Sequence, residues 1–174
     1  MAQLDSTIVS TPRMVMAQDS ITRLANATQY GVNDALSNHE TTPTVAGYFT
    51  LPVASRDGGG FTFTDFALYK TDQDQASAAF DVMLFDTVPA VAGFNDNAEI
   101  AITDAEWLAC QEYVPFSAGG WRNVVSGDLQ TVRKVFGFVC AAGDVNAYGI
   151  VVVKATYTPA SGEKLTLTAK GYQD

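Results

Sequence analysis

Residues 80–89 read FDVMLFDTVP, and how this stretch is read decides how the whole chain is read. Asp81 and Asp86 bracket an apolar run, so it is either a carboxylate pair set for acid–base chemistry or a strand of scaffold. Glycosidase-type chemistry needs two carboxylates facing one cleft, about 5–10 Å apart. On a strand, five positions put Asp81 and Asp86 on opposite faces and about 17 Å apart, at ~3.3 Å per residue. On a helix they stand about 140° apart, at ~100° per residue. Neither geometry pairs them. The stretch therefore reads as a strand with Phe80, Val82 and Leu84 on one side and Met83 and Phe85 on the other, buried on both faces. Asp86 and Pro89 make its turn, with Asp86 expected to bond local backbone.

The same periodicity extends along the chain. In FTFTDFALYK (61–70), Phe61, Phe63, Asp65, Ala67 and Tyr69 alternate with Thr62, Thr64, Phe66, Leu68 and Lys70. Aromatics in both sets predict a strand covered on both sides. YGIVVVKATY (148–157) is rich in β-branched residues and reads as a central strand. EKLTLTAKGY alternates cleanly, with Leu165, Leu167 and Ala169 inward and Lys164, Thr166, Thr168 and Lys170 toward water. RDGGG, FSAGGW, AAGDVN and TPASGE punctuate these runs as turns, at the spacing of sandwiches and barrels. ITDAEWLACQ is the best helix signal. Thr103 stands in capping-box spacing from Glu106, Asp104 suits the positive end, and Trp107, Leu108 and Cys110 are expected to pack it on a sheet, with Pro115 barring any continuation. DSITRLANATQYGVNDAL reads as strand and loop. These signals predict an all-β protein, a jelly-roll-like β-sandwich with one short helix. Residues 1–19 are expected to form an extended N-terminal arm, and residues 20–174 a single sandwich domain.

At 174 residues, with 47% apolar composition, the chain suits one globular domain. Its charged fraction of 17% lies below the roughly 25% usual for soluble domains, which suits a surface covered by a partner. No run of 18 apolar residues is present, and the N-terminus does not read as a secretory signal. Cys110 and Cys140 read as buried thiols of a protein made in a reducing compartment. The net charge of −9 is concentrated between Thr71 and Trp121, where nine acids face no lysine or arginine. That distribution speaks against nucleic acid as a partner. It leaves three roles for the acids: facing a basic protein, repelling copies of the chain, or aiding solubility.

Chemistry-bearing constellations are not found. His39 is the only histidine, it lies in the loop-like SNHETTP, and its solitude removes Ser-His-Asp, Cys-His and multi-histidine metal arrangements. FNDNAEI (Asn95, Asp96, Asn97, Glu99) and TDQDQ (Asp72, Asp74) offer oxygen ligands but lack the glycine and distal glutamate of an EF-hand loop. DGGG and AGG match no phosphate-binding pattern. No catalytic residue, metal ligand or cofactor is expected, and an enzyme is not.

From about residue 29 onward the order of features is similar to that of the capsid decoration, or cement, proteins of tailed bacteriophages. The resemblance rests on YGVNDALSN, GYFTLPVASRDGGGFTFTDFALYKTD, SAAFDVMLFDTVP, NAEIAITDAEW and AYGIVVVKATYTPASGEKLTLTAKGYQD. In such proteins an aliphatic strand ending in an Asp-x-x-Pro turn precedes an Asn-Ala-x5-Asp-Ala helix start. A Tyr-Gly strand and a Tyr-Thr-Pro-x-Ser turn then close the chain. The resemblance implies a β-sandwich homotrimer, made in the bacterial cytoplasm and mounted on the outer surface of the phage head. There it bridges junctions between major capsid proteins, with no catalytic residue, cofactor or membrane. The segment before Gln29 departs from the pattern.

Candidate contacts with a second copy or the capsid are Ile8, Val9, Met14, Val15 and Met16 in the arm. Phe94, Trp121, Asp72, Asp74, Asp96 and Glu99 are the candidates beyond it. The arm could reach a neighbouring subunit or the capsid, or be a disordered tail. The alternative function is a glycan-binding sandwich in a tail or baseplate, with Trp121, Phe94 and Tyr113 as a stacking platform.

Overall fold

A computed structural model of the chain describes residues 12–71 and 78–173. Strand β5 (Phe80–Phe85) lies inside a sheet, and its two faces go to two different cores. Phe80, Val82 and Leu84 point between the sheets, while Met83 and Phe85 point outward under a covering layer. It pairs on one side with β10 (Asn146–Val153), from Tyr148 opposite Phe85 to Val153 opposite Phe80. On its other side lies β7 (Cys110–Phe116). Beyond β10, the strands β2 (Asp34–Leu36) and β3 (Phe49–Pro52) follow one another along the same edge, and β6 (Ala98–Glu99) adds to β2.

The facing sheet runs β1 (Arg13–Thr22), β11 (Lys164–Gln173), β4 (Gly60–Lys70), β9 (Gly127–Val139) and β8 (Arg122–Val124). Count β2 and β3 as one strand and set the short β6 and β8 aside. The chain then places its first, eighth, third and sixth strands in one sheet and its second, seventh, fourth and fifth in the other. That is the jelly-roll double Greek key. The all-β sandwich, its one short helix and the strand readings of β5, β10 and β11 hold.

Strand β4 differs from its sequence reading, and the reason is a bulge. Strict alternation would send Phe61 and Phe63 to one face and Phe66 and Leu68 to the other. All four are buried in the core between the sheets. The register shifts between Phe63 and Asp65 against β9, and between Lys170 and Gly171 on β11, so the parity of β4 switches at Thr64. A bulge costs about one ladder hydrogen bond, about 1 kcal/mol, whereas burying a Phe or Leu side chain stabilises by roughly 1.5–3 kcal/mol. Burial wins. Phe63 then stacks on Phe66 with centroids 5.1 Å apart and lies 5.0 Å from Phe136. Glycine is required opposite: a Cβ on Gly171 would overlap the Thr62 carbonyl.

The boundary expected for the N-terminal arm is also corrected. Arg13 to Thr22 form an edge strand, in register with β11 from Arg13 opposite Gln173 to Thr22 opposite Lys164. Ala17 and Ile21 are buried in the main core, and Val15 packs against it. Asp19 ties this edge to the other sheet by accepting the Thr50 amide at 2.6 Å. Residues 1–11 of the expected arm, including Ile8 and Val9, lie outside the described residues, as do Asp72 and Asp74.

Helix α1 (Asp104–Trp107) forms its full capping box between Thr103 and Glu106 but is a single turn with no buried side chain. Trp107 is 47% exposed and Leu108 87%, so the expected packing of this helix on a sheet does not occur. The chain turns straight into β7 at Cys110, and Pro115 lies within that edge strand, where a missing amide is tolerated.

Two ion pairs among the described residues are sealed inside, Arg23 with Asp96 and Lys70 with Asp128. Lys70, at the inward end of β4, reaches Asp128 at 2.9 Å, with its Nζ 5.3 Å from the centre of the Trp121 ring. Removing one partner leaves a buried charge, so Asp128→Ala is expected to lower stability by about 3–5 kcal/mol. The double replacement Lys70→Met with Asp128→Leu recovers most of that loss. Lys154→Ala, at a solvent-facing pair, costs about 1 kcal/mol or less. Urea unfolding of the variants checks the ranking, and an Asp128→Ala cost no larger than that of Lys154→Ala would contradict it.

Candidate functional site

The two outer faces of the sandwich differ. On the sheet led by β1, outward residues line up in rows across four strands. Met14, Tyr172, Thr62 and Gly137 form one row, and Met16, Lys170, Asp65 and Arg133 the next. A third row holds Gln18, Thr168, Ala67 and Thr131. Met14 is 71% exposed and Met16 64%, and Tyr172, Val135 and Val139 are exposed at the same end. This surface is apolar at one end and threonine-rich toward the other.

On the opposite sheet the outer face is half covered. The 3-10 turn Val91–Phe94 and the segment at Ile100 and Ile102 close over Met83, Phe85, Ile150 and Val152. Phe94 is fully buried there, with its ring centre 5.8 Å from that of Tyr48 in an edge-on contact. Beside this cover, next to α1, a pocket of about 460 Å³ stays open. Buried Met83 and Val152 and exposed Trp107 and Tyr113 are among its lining, and Asp81, Lys154, Asn33 and Glu99 supply its polar groups. Lys154 donates to the Asn33 side-chain oxygen at 2.9 Å and lies 3.9 Å from the Asp81 carboxylate. Lys134 sits 4.3 Å from the centre of the Tyr113 ring and pairs with Glu112 at 3.0 Å.

The residues expected to form contacts therefore divide. Met14 and Met16 lie on the uncovered face, and Glu99 is exposed at the pocket. Val15 faces the core. Trp121 is half-buried: its indole N–H donates to the Ala78 carbonyl at 2.6 Å and its ring meets Phe80 edge-on. Asp96 is buried and accepts hydrogen bonds from the Tyr30 hydroxyl at 2.5 Å and the Ser37 amide at 2.8 Å, with Arg23 at 3.8 Å. Phe94 and Asp96 are thus parts of the interior and cannot present a surface. The platform of Trp121, Phe94 and Tyr113 does not exist as a unit, since only Tyr113 is substantially exposed. The sequence reading passed over Trp107 as a surface group. Its signal was weak, because the helix stops after one turn where Cys110–Phe116 pairs with β5, a partner that ITDAEWLACQ does not contain.

The acidic stretch is also more neutral in space than along the chain. Lys154, Lys134 and Arg23 come from outside it to meet Asp81, Glu112 and Asp96. Glu106 accepts from the backbone of Thr103 and Ala90, which holds its carboxyl below the ordinary range. Asp86 takes the Gln111 side-chain amide at 3.0 Å instead of the local backbone expected for a turn aspartate. His39 lies exposed in its loop, its Nδ1 accepting from the Thr41 and Thr42 amides. Cys140 is buried, as read, but Cys110 is only half-buried, and both are free thiols. Among the described residues no three His, Cys, Asp or Glu side chains gather as a metal site, and no helix is long and apolar enough to cross a membrane. No family model matches the chain, and no curated protein sequence matches it.

Burial raises the Asp81 carboxyl above its ordinary 3.8, with Lys154 and Lys134 pulling the other way. A raised folded-state pKa means that Asp81 favours folding while protonated, and that this contribution is lost as pH climbs from 3.8 through the folded value. Asp81→Asn is therefore expected to gain on the wild type as pH rises through that window and to keep a constant margin above it. Unfolding midpoints from acid to neutral pH check this; a margin independent of pH would contradict it.

Proposed function

We propose that the chain is a structural virion protein, a capsid decoration protein that binds the outer surface of a phage head as a homotrimer and stabilises contacts between major capsid proteins. The observation that carries the reading is the uncovered face of the β1 sheet, with Met14, Met16, Tyr172, Val135 and Val139 exposed together at one end. Exposed apolar side chains grouped in this way mark interaction surfaces. The choice of partners rests on the resemblance of the ordered motifs to those of cement proteins.

In this reading the apolar end meets a second copy of the chain, where burial of Met14, Met16 and Tyr172 supplies the driving force. The threonine rows and the Lys170, Asp65 and Arg133 row offer polar contacts for the capsid protein. Strand β1 begins at the apolar end, so the reading assigns the residues before Arg13, including Ile8 and Val9, to the same contact. One site per chain becomes three per trimer, and weak contacts then act together through effective concentration. No chemistry, cofactor, nucleic acid or membrane enters the role.

The full chain is expected to sediment as a trimer at micromolar concentration and to rebind heads stripped of it. The double substitution Met14→Glu with Met16→Glu is expected to give folded monomers that fail to rebind, with an unfolding midpoint below that of the wild-type trimer because the monomer loses the stability that assembly adds. A wild-type monomer, or a charged variant that still forms trimers, would contradict the reading. So would recovery of the protein only from tail fractions.

A further inference from the structure

The pocket beside α1 is lined by aromatic rings and by hydrogen-bonding side chains, and that pairing points to one class of ligand. We propose that it is a carbohydrate site for a neutral pyranose unit, with a ring face against Trp107 and hydroxyls on Asp81, Asn33 and Lys154. A pyranose presents an apolar C–H face and a rim of hydroxyls that both donate and accept, so it needs an aromatic wall and a polar wall around one space.

Both are present and both are held in place. Trp107 ends a helix turn whose backbone is fixed by the Thr103–Glu106 capping box, and the residue is 47% exposed. Tyr113 extends the aromatic side, with Lys134 packed on its ring. The polar side stands on neighbouring strands. Asp81 lies directly opposite Val152 of β10, and the Asn33 amide donates to the Val153 carbonyl at 2.7 Å. Asn33 keeps a left-handed backbone, φ 72°, a conformation that asparagine tolerates better than most residues. Carboxylate, amide oxygen and ammonium are thereby linked before any ligand arrives, which lowers the entropy lost on binding. The volume lies within the range of small-molecule sites.

The alternatives fit less well. A purely apolar occupant, such as a side chain from another copy, would strip water from Asp81, Asn33 and Lys154 and return no hydrogen bonds. An acidic sugar would meet Asp81 and Glu99, while Lys154 is already engaged by Asp81 and Asn33 and Lys134 by Glu112. A neutral sugar satisfies both walls. This site lies on the opposite sheet from the face proposed for trimer and capsid, so the two readings stand or fall separately.

The test uses the full-length protein titrated with methyl glucoside, methyl galactoside, N-acetylglucosamine and glucuronate. Ligand-observed saturation-transfer NMR is read on the wild type, and indole fluorescence on Trp121→Phe, which leaves Trp107 as the only indole. At least one neutral sugar is expected to bind saturably at millimolar concentration, with glucuronate weaker. Trp107→Ala is expected to weaken that binding about tenfold, the loss of one aromatic contact, and Asp81→Ala to weaken it as well, with both variants folded by their unfolding midpoints. Saturable binding to none of the four probes would overturn the proposal. So would sugar binding that survives Trp107→Ala. Self-association that Trp107→Ala abolishes, without any sugar response, would assign the pocket to a second copy and overturn it too.

Discussion

The pairing of β5 with β10 is the contact on which the rest of the sandwich depends. Both strands are buried on both faces, so each has to carry apolar residues at nearly every position, and a slip of one residue would exchange two different cores. Gly149, opposite Leu84, lies where the strand meets Phe49 and Val82, both within 3.2 Å of a would-be Cβ. This double burial explains why one outer face of the molecule is covered. The Val91–Phe94 turn and the Ile100–Ile102 segment have to close over Met83 and Phe85, and the pocket is the part of that face they leave open.

The other sheet faces a different constraint. Its outer face needs no cover because its outward positions are mostly threonine, lysine and small residues, and the bulge in β4 turns every phenylalanine of that strand inward. What remains apolar outside is confined to one end. The edges are guarded by side chains. Gln111 of β7 exchanges two hydrogen bonds with the backbone of Val139, and Lys134 of β9 reaches Glu112, so the open edges of β7 and β9 are bridged and not left free to pair with other chains.

Local alternation made β5, β10 and β11 legible, because in each the partner strands impose no shift of register within the run of inward residues. Strand β4 was misread because its parity depends on β9 and β11, which the run FTFTDFALYK does not contain. Arg13–Asp19 was taken for an arm because its partner lies some 150 positions later, at Gln173–Leu167, and a strand whose inward residues are Val, Ala, Asp and Ile has a weak signal of its own. Phe94 and Asp96 were placed outside for a related reason. FNDNAEI has the composition of a solvated loop, but Asp96 is drawn in by Tyr30 and Arg23, some 70 positions earlier. Counter-charges for Asp81, Asp96 and Glu112 of the acidic stretch likewise arrive from distant parts of the chain.

The proposed role follows from the asymmetry between a covered face and an uncovered one, joined to motifs resembling those of cement proteins. A reconstruction of the assembled phage particle tests it most directly. The account predicts three jelly rolls clustered on the outside of the head, with the Met14 and Tyr172 end of the β1 sheet buried between copies. A particle in which that face points to solvent, or in which the head lacks the chain, would contradict it.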